Sequence, residues 1–394
     1  MPTEYPVPSD VQQITRRALP IGVVLLAVCA AGGYFSPDQF FHSYLLAYIF
    51  ILNIAIGCMG VAMIQNLSGG NWGILTRRLL EAGARTMPLL ALFFIPILFG
   101  LKTLYPWARP EVVATDHIIQ AKALYLNVPF FIGRAVAYFV IWTTLAHFLS
   151  KWSREQDRTG DPAIVRRLGK LSAGGLVIYG VTITFAVIDW FMSMQPHWFS
   201  TIFGMIFMAG EGLSAFSFVI LMLSWLVKRE PMKAIVTRKH LIDLGNLMLA
   251  FVILWTYTSF SQFLLIWAGN LPEEISFYLP RFHHGWQYVA IALLLFHFAV
   301  PFILLLQRSI KGQAARVGML AGALVAARWV DMYWLIEPTL HTTLYLSWMD
   351  VAAPLALGGI WLALWARNLQ GAALLPLRDP YLTTALQYGH HASH

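Results

Sequence analysis

Apolar runs close to 20 residues long recur ten times in this chain, at about 19–35, 41–66, 85–105, 126–149, 171–194, 200–227, 240–269, 284–307, 314–335 and 346–369. That is the length a helix needs to cross about 30 Å of hydrocarbon, so each run is a candidate membrane span. Inside hydrocarbon the backbone must bond to itself, which permits only helices or closed barrels, and unbroken apolar runs select helices. Hydrophobic residues make up 58% of the 394 positions and charged ones only 12%, too few charges to wet the surface of a soluble protein of this size. The expected fold is therefore an all-α polytopic membrane protein with ten transmembrane helices. Several runs exceed the bilayer thickness, which implies tilt or a projecting end. Pro88, Pro96 and Pro301 lie inside runs, and each should kink its helix by removing a backbone donor.

The net charge of +8 invites a nucleic-acid reading, but the basic residues sit in short loops between apolar runs. Of 27 Lys and Arg, 21 fall on one side of the ten-span arrangement, four (Lys102, Arg109, Lys122 and Arg281) fall on the other, and Arg134 and Arg328 lie within spans. By the positive-inside bias this places both termini in the cytoplasm, as an N-terminal segment 1–18 and a C-terminal tail 370–394. "RRALPIGVVLLAVCAAGGYF" lacks a convincing cleavage site and reads as a first span rather than a signal peptide. Cys29 and Cys58 lie singly inside spans, so no iron–sulfur, c-type haem or disulfide framework is expected from them.

The stretches "AARWVDMYWLIEP" (326–338) and "FAVIDWFMSMQP" (185–196) share a spacing: Asp331 precedes Pro338 by seven residues, and Asp189 precedes Pro196 by the same seven. His42 with Gly57 parallels His197 with Gly212. "LTRRLLEAGARTMPLLAL" (75–92) parallels "VTRKHLIDLGNLMLAFVIL" (236–254), and "FFIGRAVAYFVIW" (130–142) parallels "FHHGWQYVAIALL" (282–294). Four matches in chain order point to a repeat of four helices, an even number, so both copies keep one orientation. The single membrane domain, 19–369, should then hold two tandem four-helix bundles, spans two to five (41–194) and six to nine (200–335), with spans one and ten peripheral. The loops "YPWARPEVVATDHIIQAKALYLN" (105–127) and "AGNLPEEISFYLPRFHHGW" (268–286) suit either a protein partner outside the membrane or a cap on their own bundle.

Charges at bilayer depth persist only with a partner or a use. His42, Arg134 and Asp189 fall toward the outer ends of spans two, four and five, as candidates for a polar pocket. His283, His284, Gln287, Arg328 and Asp331 fall toward the outer end of the second bundle, with Glu211 deeper. Arg328 and Asp331, three apart on one helix face, can neutralise each other. The alternative is a pocket for a quinone head group or a path for protons, which need carboxylates, His and water in dry surroundings. Glu81, Asp243, Asn246 and His297 would continue such a path inward. His147 and His297 raise the question of a bis-His haem, but they fall in different bundles. The terminal "HHASH" has no built metal site around it.

"NLSGGNWGILTRRLLEAGARTMPLLAL" (66–92), "DWFMSMQPHWFSTIFG" (189–204) and "DLGNLMLAFVILWTYTSFSQFLLIWAGNLPEEISFYLPR" (243–281) resemble the ActF subunits of bacterial alternative complex III, within the NrfD/polysulfide-reductase membrane superfamily. The resemblance runs over nearly all ten spans. It implies a bacterial inner-membrane subunit of a quinol:electron-acceptor oxidoreductase that feeds cytochrome c or a terminal oxidase. Implied partners are an NrfD-like sister membrane subunit, a periplasmic iron–sulfur subunit and multihaem cytochrome c subunits. Haem c and iron–sulfur clusters would belong to those partners, and this chain would hold no cofactor of its own. It would pack beside the quinol-oxidising sister and offer a proton route. Two other functions stay open: a chain that itself binds and oxidises quinol, and a stand-alone transporter, which would need matched helix breaks in both halves.

Overall fold

A computed structural model describes residues 4–388. Among these residues all regular secondary structure is helical, and ten helices have the length and apolarity to cross a membrane. They are Asp10–Phe35, Pro37–Ser68, Arg77–Phe99, Val128–Thr159, Pro162–Met194, Phe203–Leu226, Arg238–Gly269, Trp286–Leu306, Ala314–Thr339 and Trp348–Leu369. The protein is an integral membrane protein of the all-α class. Its first helix starts at Asp10, inside the stretch read as an N-terminal segment, because Asp10 and the turns after it continue the helix beyond the apolar run.

Both quartets use one scheme of neighbours. In the first, the second span packs on the third and fifth, and the fourth joins the third and fifth. In the second, the sixth packs on the seventh and ninth, and the eighth joins the seventh and ninth. The halves meet where the second span crosses the sixth. Gly57 makes that crossing possible, since a Cβ there would lie 2.1 Å from the Glu211 carbonyl oxygen; small residues let membrane helices approach this closely. The second span is buried all round, which explains why its sequence shows no polar face. The tenth span packs on the first, second and third, and its Trp361 and Trp365 rings meet Phe218 of the sixth, so it seals the seam between bundles. The first span is the outlying one, packed mainly on the tenth.

Two of the three expected kinks coincide with helix irregularities. The third span breaks between helices Arg77–Ala84 and Met87–Phe99, with Pro88 in the first turn of the second piece. In the eighth span a π-helical stretch, Leu294–Ala299, precedes Pro301. Pro96 sits inside an unbroken helix. The C-terminal segment is strapped across the basic ends of both bundles. Asp379 pairs with Arg77 and the Leu377 amide donates to Asp157 of the first half, while Tyr388 donates to Asp243 and accepts from Thr237 of the second. The terminal "HHASH" lies outside the described residues.

Candidate functional site

One group of buried ionic side chains lies where the bundles cross. Arg328, in the ninth span, donates to Asp331 of its own helix, to Ser214 Oγ at 3.2 Å and to Asn53 Oδ1 at 3.4 Å. Its guanidinium lies over Gly210, where a Cβ would come within 2.3 Å of Nη2, so glycine leaves the room that the cation fills. Beside it, Glu211 accepts from the Tyr179 hydroxyl. Four spans therefore contribute: Asn53 from the second, Tyr179 from the fifth, Glu211 and Ser214 from the sixth, and Arg328 and Asp331 from the ninth. All six side chains are buried. Two carboxyls, one guanidinium and a phenol thus lie in dry surroundings, where the hydrogen-bonded phenol and carboxyl of Tyr179 and Glu211 can share a proton.

His297 belongs to the neighbourhood of this cluster. It sits in the π-helical stretch, fully buried, its ring centroid 3.9 Å from that of Trp255, and neither ring nitrogen has a hydrogen-bond partner among the described residues. Short π segments inside α-helices recur at functional positions. His147 lies elsewhere, lining a cavity at the basic end of the first bundle.

The expected grouping of His42 with Arg134 and Asp189 is not found. Asp189 is fully buried in a two-pronged pair with Arg134 (2.8 Å at both contacts), and Tyr138 donates to the same carboxylate at 2.8 Å. The guanidinium also stacks over the Tyr125 ring at 3.8 Å. This carboxylate is saturated, as a structural ion pair should be. His42 instead faces His341, with ring centroids 5.6 Å apart.

That contact opens a second polar group at the far end of the molecule. His341 Nε2 lies 3.7 Å from Glu337, whose two buried carboxyl oxygens have no hydrogen-bond partner among the described residues. Asp350, at the start of the tenth span, accepts from Ser43, Gln39 and the Ser347 amide. Six residues, about 9 Å of helix, separate Asp331 from Glu337 along the ninth span. Nearby, Arg281 is buried between spans and donates to the carbonyls of Phe277, Trp334 and Leu335. Burial pushes its pKa down to about 9. Its partners Trp334 and Leu335 lie at the C-terminal end of a helix, where the dipole favours a cation.

Asp243 and Asn246 stay at the basic end, held by Tyr388 and Lys311 respectively. Glu81 is bound there too, with Arg78 donating to it at 2.7 Å. An aromatic cavity of about 330 Å³ lies among spans six to nine, lined by Trp255, Gln262, Phe263, Tyr278 and Asp331. Phe260 and Leu294, at its rim, are exposed on the apolar flank, so the cavity opens toward lipid.

Sequence reasoning missed Tyr179, Asn53 and Ser214. A Tyr, an Asn and a Ser inside apolar helices give no charge signal, although each is costly in hydrocarbon without a partner. No protein-family model matches the chain, and no curated protein matches it.

Proposed function

We propose that this chain is a membrane subunit of a bacterial respiratory complex that oxidises quinol. In this reading it packs beside an NrfD-like sister subunit and handles protons at the seam between its two bundles. The observation that carries the proton reading is the Tyr179–Glu211–Arg328–Asp331 constellation at the bundle crossing. From there the ninth span leads to Glu337, with His341 and His42 beyond it at the far end. On the other side of the cluster, Asp243 and Asn246 stop at the basic end. The acids therefore favour exchange between the seam and the less basic face. The resemblance to ActF subunits supplies the respiratory setting and the partners, with haem c and iron–sulfur clusters in those partners.

The test uses the complex purified through a tag on this chain and placed in liposomes. Multihaem cytochrome and iron–sulfur subunits should co-purify, and their absence would sink the assignment to a complex. Glu211→Gln, with assembly intact by haem spectrum, should lower protons released per electron while quinol oxidation continues. An unchanged ratio would leave the subunit assignment standing and remove the proton role.

A second reading is favoured by one observation, the lipid-facing aromatic cavity with Asp331 in its wall. Its size suits a ring-shaped head group, and Gln262 and Tyr278 supply polar atoms. A photoreactive quinone should then label residues 255–263 or 277–282 of this chain. Labelling confined to the sister subunit removes this reading. The saturated Asp189–Arg134 pair argues against a quinone pocket in the first bundle.

A further inference from the structure

At the basic end of the first bundle a cavity of about 740 Å³ opens between the third and fourth spans and the segment that follows the tenth. Four cations line it, Arg85, Lys151, Arg154 and Arg158, against one acid, Asp157. The oxygens of Asp157 are already occupied, one by Arg78 and the other by the Leu377 amide. Arg154 makes no hydrogen bond or ion pair among the described residues, and Arg85 spends one donor on the Asn368 carbonyl at 3.2 Å. Ser150 also lines the cavity, and its buried hydroxyl has no partner among the described residues. A cavity with surplus guanidinium donors and an unmatched hydroxyl is built for an anion with several acceptor oxygens.

The same cavity continues into an apolar one. A slot of about 530 Å³ runs between the third and fourth spans, lined by Ala91, Ile95, Leu98, Val136 and Val140, and it shares Pro88 and Thr143 with the basic cavity. A free phosphate would have no use for this slot, whereas a diacyl lipid has both parts. We propose that cavity and slot form a site for an anionic phospholipid. Arg85, Arg154 and the Ser150 hydroxyl hold the phosphodiester, Lys151 stands at the mouth, and one acyl chain lies along the slot. Basic pockets between spans at the cation-rich face are where such head groups bind.

The full chain, purified in detergent, is titrated by native mass spectrometry with dioleoyl phosphatidylglycerol, dioleoyl phosphatidylcholine and inorganic phosphate. The anionic lipid should bind at least about tenfold tighter than the choline lipid, and Lys151→Gln/Arg154→Gln should lose about tenfold of its affinity. Lys151 is exposed and Arg154 has no partner among the described residues, so neither change disturbs a bond seen there. Thr143→Phe, which plugs the junction, should weaken the lipid and leave phosphate untouched. Arg166→Gln/Arg167→Gln, at the same end but off the cavity, should change nothing. Equal affinity for the two lipids, or equal loss in this control pair, overturns the site in favour of general surface charge. Phosphate binding as tight as the lipid's, insensitive to Thr143→Phe, overturns it in favour of a small-anion site.

Discussion

Arg328 shows how one cation can be kept at bilayer depth. Its hydrogen bonds go to a carboxylate one turn along its own helix, to Ser214 and to Asn53, so the charge is neutralised and its donors are used. Removing one partner of such a buried pair leaves the other uncompensated and costs about 3–5 kcal/mol, whereas replacing both by apolar groups is often neutral. Arg328→Met and Asp331→Leu should each lower unfolding stability in detergent by that amount, and the double change should recover most of it. Strictly additive losses would mean that the two side chains act separately. The pairing of Arg328 with Asp331 is legible in the sequence because three residues set them on one helix face. The pairing of Arg134 with Asp189 is not, since it joins two helices 55 positions apart.

At the level of elements, the two bundles are held at a glycine. Gly57 lets the second span reach the Glu211 carbonyl, and that obstacle is backbone, which cannot swing aside. Gly57→Val should cost on the order of 1–3 kcal/mol through overpacking, read as a fall in thermal midpoint. Gly174→Ala, at a helical glycine with nothing within 4 Å of its Cβ, should instead stabilise by about 0.4–1 kcal/mol. A similar response at both sites would sink the close-approach argument. Hydropathy predicts where helices run, but it does not set their ends: charged turns at 10–18 and 150–159 prolong helices past the apolar runs. The 105–127 loop, open in sequence between a partner surface and a cap, buries Tyr105 and Trp107 against Phe131 of its own bundle.

For the whole molecule, the cation asymmetry predicts that both chain ends share the basic face. Green fluorescent protein fused after His394 should fluoresce in cells, and alkaline phosphatase at the same place should be inactive; the reverse pattern would invert the molecule. The number of helices and their approximate extent could both be read from the chain alone. Each depends on a local sum of side-chain transfer energies. Which polar groups meet could not. A helix turns about 100° per residue, so a contact depends on the rotation and depth of each span. Spans that are buried nearly all round and show no distinct polar face, such as the second and the sixth, encode neither. Packing therefore decided that Tyr179 reaches Glu211, that His42 meets His341 rather than Asp189, and that the C-terminal segment ties the two bundles together.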